Sequence, residues 1–477
     1  MDDVRASWGE PPWRVDRPRG KVALSTPTWG IPSGSVDDER PPDQDVSQVV
    51  HNPQLLLPFL DLLFLGVLRR APSPSERTVV KLRCERDRLV DTLATAARAV
   101  SGRALASAAT NGLRLVVSDG RLRAIGTDLD LTIEAQAELA AAEDGQAVVP
   151  ARLMVDIVRA LEPGAVLVEA GEDDVVVSMG RSRFVVRSFP VEEFPTLPEP
   201  MPATAQLPAG ALAEALRQVV RAASTDDSRP LLTGVLVAAV EEGLRLVATD
   251  SYRLAWRDLP GVVGLPSAVE QLLVPARALQ ELQRLLQGLA RGSGGSSKPS
   301  GADEAHPGVE GGPAGGTESE EAVVGLSVGE LEASFWLPGV RLTTRLLDGR
   351  FPDYRQLVPP EYPVRVQVPR TRLVEALRRV RLLVRDGTTP VRLVLHPDSV
   401  DLTVSSHDLG EASTEVEAVV TGTVDSMAFN PSYLIDGVEA VDAEEVVLEL
   451  LDPSKPATVR APDRADFRYL LMPVRVA

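Results

Sequence analysis

The chain has 477 residues, 44% of them hydrophobic, and a formal net charge of −18, a length that allows about three domains, each with its own core. A single cysteine excludes a disulfide framework and four scattered histidines offer no metal-ligand spacing, so no metal or cofactor is expected and a reducing, cytoplasmic setting is the simplest. The acidic balance excludes a surface coated for nucleic acid, but leaves open where the arginines cluster.

Residues 1–78 are rich in Pro, Asp and Arg, lack sustained periodicity and read as a disordered extension. Within them Leu55 to Leu68 (LLLPFLDLLFLGVL) is interrupted by Pro58 and Asp61 and falls short of the roughly 20 residues that span a bilayer. It also lies too far from Met1 for an ordinary signal peptide, and a translation start near Val80 is a further expectation. No membrane association is expected of the rest.

From Val80 the pattern is regular. The strand KLRCE, with Cys84 in step with Leu82 as core, leads into a helix with apolar positions Leu89, Leu93, Ala96 and Val100. The same register returns at Leu212, Leu216, Val219 and Ala223, and again at Leu373, Leu377, Val380 and Val384. The second interval is longer than the first by roughly the Gly/Ser/Pro/Glu-rich run 288–322, which reads as a flexible insert. Each repeat holds a second helix, opening at Pro150-Ala151-Arg152, Pro275-Ala276-Arg277 and Asn430-Pro431-Ser432, where a proline's missing N–H costs nothing. Strand patterns flank all of them. In Arg229 to Trp256, apolar and polar residues alternate on both sides of Glu241-Glu242-Gly243, which predicts a hairpin, and a second turn at Thr249-Asp250-Ser251 then presents Tyr252, Arg253 and Leu254. Similar segments at 118–131 and 397–410 make the chain a threefold repeat, with units 79–200, 204–360 and 363–477. The fold class is α+β: three tandem domains, each with two helices packed under antiparallel sheets.

The arginines recur in register. Arg98 and Arg221 share one position of the first helix, Arg217 and Arg378 another, while Arg152, Arg159, Arg277 and Arg284 repeat on the second; the third unit carries Glu439 nearby instead. Taken singly these are ordinary solvated helix faces. Recurring together, they suit a common surface that meets phosphates without reading bases.

GRSRF (180–184) with VEEFPTLP (191–198), RPLLTGV with LRLVATDSYRLA, LLDGRFPDYRQLVP (346–359), FNPSYLIDGVEAV (429–441) and YLLMPVRV (469–476) together resemble the beta subunit of bacterial DNA polymerase III, the sliding clamp, most like those of the actinobacterial type. The likeness runs from about Val80 to the C-terminus. It implies a three-domain subunit that dimerises head to tail into a ring around duplex DNA, raising the processivity of the replicative polymerase. The implied partners are a clamp loader and the DNA polymerases and repair proteins that insert short peptides into a groove between the second and third domains. Matching groove positions are Leu232, Thr249, Ser251, Tyr252, Arg253, Leu254, Pro352, Gln356, Leu357, Met472, Pro473, Val474, Arg475 and Val476. Leu232, Leu254, Leu357, Met472 and Val474 would form an apolar pocket and Arg253 and Arg475 would hold polar parts of the peptide. Ser251-Tyr252 departs from the Gly-His often found in the family, and Gln356 from an Arg. Ring contacts map onto Phe184 and Val186 against Leu382 and Leu383, with Arg181 and Arg183 facing Glu411 and Glu415. SGRALASAAT replaces the family's usual Arg-Pro segment in the first unit, leaving Arg103 as its nearest DNA contact.

No catalytic residue is expected: Asp226-Asp227 and Asp128-Asp130 lack a His, Cys or Lys partner at telling spacing, and turn chemistry accounts for both. There is also no GxxxxGK[ST] phosphate loop. The insert and the changed groove residues leave open a specialised second clamp, acting in repair or replacing a housekeeping one.

Overall fold

A computed structural model describes residues 80–475, apart from 101–107, 172, 200, 263–264, 266–268, 270, 294–321, 386–388 and 425. The extension 1–78, most of the insert 288–322, Arg103 and Val476 lie outside the described residues. Among the described residues there are six α-helices: α1 (Arg86–Ala97), α2 (Ala151–Ala160), α3 (Ala209–Val219), α4 (Ala276–Ser293), α5 (Arg370–Val380) and α6 (Pro431–Ala440). They pack as pairs α1/α2, α3/α4 and α5/α6, one pair per repeat. None is long and apolar enough to cross a membrane.

The expected apolar stripes are buried, with two differences. Val100 and Val384 are only half-buried, because α1 ends at Ala97 and α5 gives way to a 3-10 turn at Arg381–Leu383. Prolines also act differently from expectation. Pro150, Pro208 and Pro369 are cap residues that end a strand with φ near −60°, and only Pro431 is a first helical residue. There the Asn430 side chain accepts from the Ser432 and Tyr433 amides and satisfies two open donors. Helix α4 runs on to Ser293 and so carries the first residues of the segment read as an insert.

Among the described residues all strand pairing is antiparallel, in four sheets of five, eight, nine and four strands. The eight-stranded sheet is shared by the first two repeats, because Leu131–Glu138 pairs with Val340–Arg345 in the register Ala135↔Val340 to Leu131↔Thr344. The nine-stranded sheet is shared by the second and third, because Arg253–Pro260 pairs with Phe467–Leu471, Leu254 opposite Leu470. Each of the remaining two sheets has two edge strands, Ala141–Glu143 and Ser182–Arg187 in the first repeat, Gly410–Glu417 and Ser426–Phe429 in the third.

The helices lie close enough to the sheets to demand glycine at certain contacts. A Cβ on Gly126 would sit 2.2 Å from the Ala96 carbonyl oxygen. On α6, a Cβ on Gly437 would meet the ring of Tyr469 at 2.5 Å, and Tyr469 is 1% exposed. Gly437→Ala is therefore expected to destabilise the fold by about 2 kcal/mol despite better helix propensity, since overpacking outweighs it. Urea denaturation checks this, and unchanged or increased stability would mean that the ring moves aside freely.

Candidate functional site

The turn between Gly243–Thr249 and Arg253–Pro260 is built by its own side chains. Asp250 Oδ1 accepts from the amides of Tyr252 (2.9 Å) and Arg253 (3.0 Å), while Thr249 Oγ1 donates to the Arg253 carbonyl (2.7 Å) and accepts from the Ser251 amide (3.2 Å). Such Asx bonding tolerates a left-handed residue, and Ser251 has φ 80°. Arg229 Nη1 donates to the Ser251 hydroxyl (3.2 Å), bracing a conformation that costs a non-glycine residue about 1–2 kcal/mol. The first repeat forms the same turn: Asp128 Oδ1 accepts from the Asp130 and Leu131 amides, Thr127 Oγ1 from the Leu129 amide, and Leu129 has φ 79°. Turn bonding and ion pairs thus occupy Asp128 and Asp226, the acids weighed as a carboxylate site: Asp128 also pairs with Arg277, and Asp226 with Arg229 and the Ser228 amide.

Arg253 follows the turn and uses all three of its guanidinium nitrogens. Its Nε donates to Asp250 Oδ2 (2.9 Å), Nη1 to Asp436 Oδ2 (2.5 Å) on α6 and Nη2 to the Arg221 carbonyl (2.5 Å), and the guanidinium lies 4.4 Å from the Tyr433 ring centroid. Burial alone would lower its pKa; the surrounding Tyr469, Asp250 and Asp436 outweigh that and raise it. Its hydrogen bonds fix the turn to α6 and leave one N–H on each of Nη1 and Nη2. The Tyr469 hydroxyl, pushed up in pKa by burial, donates to the Tyr433 carbonyl (2.9 Å) in the same cluster.

Beside the turn, Leu254 belongs to an apolar cluster with Leu236, Val247, Trp256, Leu273, Phe351, Tyr354 and Leu470, edged by half-buried Leu231, Leu347, Leu357 and Val358. Of the five residues expected to form a pocket, Leu254 and Leu357 meet here. Leu232 is buried outside that cluster, its backbone holding the Ser224 amide, and Leu231 takes the edge position. The C-terminal segment is placed by its backbone: the Met472 amide donates to the Tyr252 carbonyl (2.9 Å) and the Val474 amide to that of Ala428 (2.7 Å). Met472, Pro473 and Val474 are half-buried, Arg475, Pro352 and Gln356 exposed, and Tyr252 is 40% exposed. Thr249 and Ser251 are buried beneath the turn. Gln356 donates to Asp353 (2.8 Å). Tyr433, Asp436, Trp256, Phe351 and Tyr354 went unassigned from sequence, although three of these aromatics stand in motifs that had been recognised.

The recurrent arginines divide by partner. Arg98 and Arg152 are exposed and form no ion pair among the described residues. Arg159 approaches Asp156 (3.5 Å), Arg277 pairs with Asp128 and Arg284 with Glu281. Arg217 is half-buried and caps the end of α6, donating to the carbonyls of Glu439 (3.2 Å) and Ala440 (3.4 Å). Arg221 and Arg378, both exposed, meet on the Glu439 carboxylate at 3.2 and 2.6 Å.

On the edge strand of the first repeat, Phe184 and Val185 are exposed, 38% and 51%, as are Arg181 and Arg183. Val186, expected at a subunit contact, is 7% exposed and packs in the core of its own repeat, while Phe184, two residues earlier on the same face of the strand, is less covered. In the third repeat Leu382 is 82% exposed, Leu383 packs against the core, and Glu411 and Glu415 point out from the other edge strand.

Residues 80–198, 206–291 and 355–475 match, in order, the N-terminal, central and C-terminal domain models of the DNA polymerase III beta subunit. The chain is 33% identical to the beta sliding clamp of Streptomyces coelicolor over 407 residues, covering 83% of this chain and 100% of that one. The beta sliding clamp of Synechococcus elongatus is 30% identical with the same coverage. Among solved structures, a DnaN sliding clamp from Pseudomonas aeruginosa bound to griselimycin superposes with a TM-score of 0.71 at 27% identity, and the DNA polymerase sliding clamp of Bacillus subtilis with 0.72 at 26%, each covering 83% of this chain and 100% of the other. With three domain matches in order and the full length of these relatives covered, the chain belongs to the DNA polymerase III beta subunit family, the bacterial beta sliding clamps.

Proposed function

We propose that this non-catalytic DNA sliding clamp works as a head-to-tail dimeric ring that encircles duplex DNA and tethers polymerases and repair proteins by their peptides, as the processivity factor of the replicative polymerase. The observation that carries this reading is the repetition of one strand junction. The strand after the Asx turn in the first repeat pairs with the last strand of the second, and its counterpart in the second pairs with the last strand of the third. The next members of the series are Gly410–Glu417 and Ser182–Arg187, and each lies at one end of its own sheet, open on one side. Two chains can pair each of these strands with the other's, covering both of these edges.

The domains in this reading are 79–200, 204–360 and 363–477. DNA passes the helices, where Arg98, Arg152, Arg159, Arg217, Arg221, Arg277, Arg284 and Arg378 supply a screened attraction to phosphates. The groove comprises the Tyr252 turn, the Leu254 cluster and the segment from Met472, a site of the kind an extended peptide with apolar anchors would fill. A clamp loader opens the ring, and the protein works at the nucleoid in the cytoplasm.

A ring holds DNA by topology. Protein loaded on nicked circular DNA is expected to co-elute with it at salt concentrations that strip ordinary phosphate binders, and to be lost once the circle is linearised. Retention that does not depend on circularity, or no retention on either form, would overturn the reading.

A further inference from the structure

The ninth residue of the second helix is Arg159 in α2 and Arg284 in α4, but Glu439 in α6. The register is the same in all three, since α6 is capped by Asn430 as α2 is by Pro150. The sign of the charge is reversed at one of three equivalent places.

The Glu439 carboxylate is not what caps the end of α6. The end of that helix is held through its backbone, by Arg217 on the Glu439 and Ala440 carbonyls and by Gln218 Nε2 on the Ala440 carbonyl (2.9 Å). The Glu439 carboxylate instead takes one arginine from each neighbouring helical segment: Arg221, just beyond α3, on Oε2 and Arg378 of α5 on Oε1. These two side chains are 52% and 63% exposed and the carboxylate 25%, so a ligand from solvent can reach all three.

We infer that Glu439 is an internal competitor for DNA phosphate, a carboxylate that occupies Arg221 and Arg378 when no phosphate is near and so weakens the ring's hold on the duplex. The inference rests on the reading of these arginines as facing DNA. Two guanidiniums sharing one carboxylate present a net charge of one rather than two, and each must give up an ion pair in exchange for a phosphate contact. Its attraction to DNA is thereby kept low where the other two repeats place a further arginine. Low attraction is what movement along a polyanion requires, because every phosphate contact must break at each step.

The test uses the full-length dimer and a short fluorescein-labelled linear duplex, titrated by anisotropy over a series of salt concentrations. Glu439→Gln, which keeps the shape and removes the charge, is expected to bind about 10-fold more tightly near 0.1 M salt, with the slope of log K against log salt steeper by about one, the release expected for one added phosphate contact. Glu439→Arg is expected to go further in the same direction. In a background of Arg221→Gln and Arg378→Gln, Glu439→Gln is expected to act only through lost repulsion, with an effect well under half of that in the wild-type background. Unchanged affinity and slope in the single variant, or an effect of undiminished size after loss of both arginines, would overturn the inference. If Glu439→Gln does not assemble, Glu439→Ala, which also removes the charge, must tighten binding, and failure to do so counts against it equally. A wild-type protein that neither binds duplex nor stays on circular DNA would instead remove the ring reading itself.

Discussion

Arg253→Ala is expected to cost about 3 kcal/mol of stability and to lower affinity for a polymerase-tail peptide at least 10-fold. Arg253 and Asp250 have side chains only 11% exposed, and Asp436 is 32% exposed. Removing the cation leaves Asp250 without its ion-pair partner and Asp436 with Arg221 alone, 3.9 Å away, beside the phenol of Tyr469 and the ring of Tyr433. It also frees the Arg221 carbonyl and releases the 250–252 turn from α6. The Met472 amide bonds to the Tyr252 carbonyl, so the C-terminal segment loses its placement with the turn. Arg253→Lys should not rescue, because one ammonium cannot reproduce three divergent donors. Chemical denaturation and peptide anisotropy read the two effects. A loss below 1 kcal/mol with peptide affinity intact would show that turn and groove are held by other contacts.

Phe184→Asp combined with Leu382→Asp is expected to convert the dimer to monomers in light scattering at micromolar concentration. Each apolar side chain buried at a contact contributes about 1.5–3 kcal/mol, and a carboxylate in its place is buried without a partner. Leu382, at 82% exposure, makes little contact within its own chain, so the change should leave the monomer folded. Val186→Ala provides the contrast. With Val186 in the core of the first repeat, it should lower stability by about 1–2 kcal/mol and leave the dimer's mass unchanged. A dimer that survives both aspartates would move the contact elsewhere.

Periodicity made the repeated helices and hairpins legible, since apolar spacing of 3.6 and 2 reports which face of an element is covered. The Thr-Asp turn was legible for a different reason: its bonds are local, spanning residues 249–253. What escaped was pairing between residues far apart in sequence. Nothing in the spacing announces that Arg253 meets Asp436, or that Glu439 collects Arg221 and Arg378, because those encounters depend on how α6 is set against the second repeat. The same limit explains Val186. Phe184 and Val186 look alike in a strand pattern, and only the end of the sheet decides which one lies under cover.

The three strand junctions differ in one respect that has consequences for how the molecule lives in a cell. Two are intramolecular, formed between segments of a single polypeptide, and their occupancy is indifferent to how much protein is present. The third, proposed between Ser182–Arg187 and Gly410–Glu417 of two copies, would need a second molecule, so its occupancy would obey mass action. Dilution should therefore undo the circle at these seams alone, each half keeping its fold, and any machine that prises it apart has only to unzip a short ribbon between two copies.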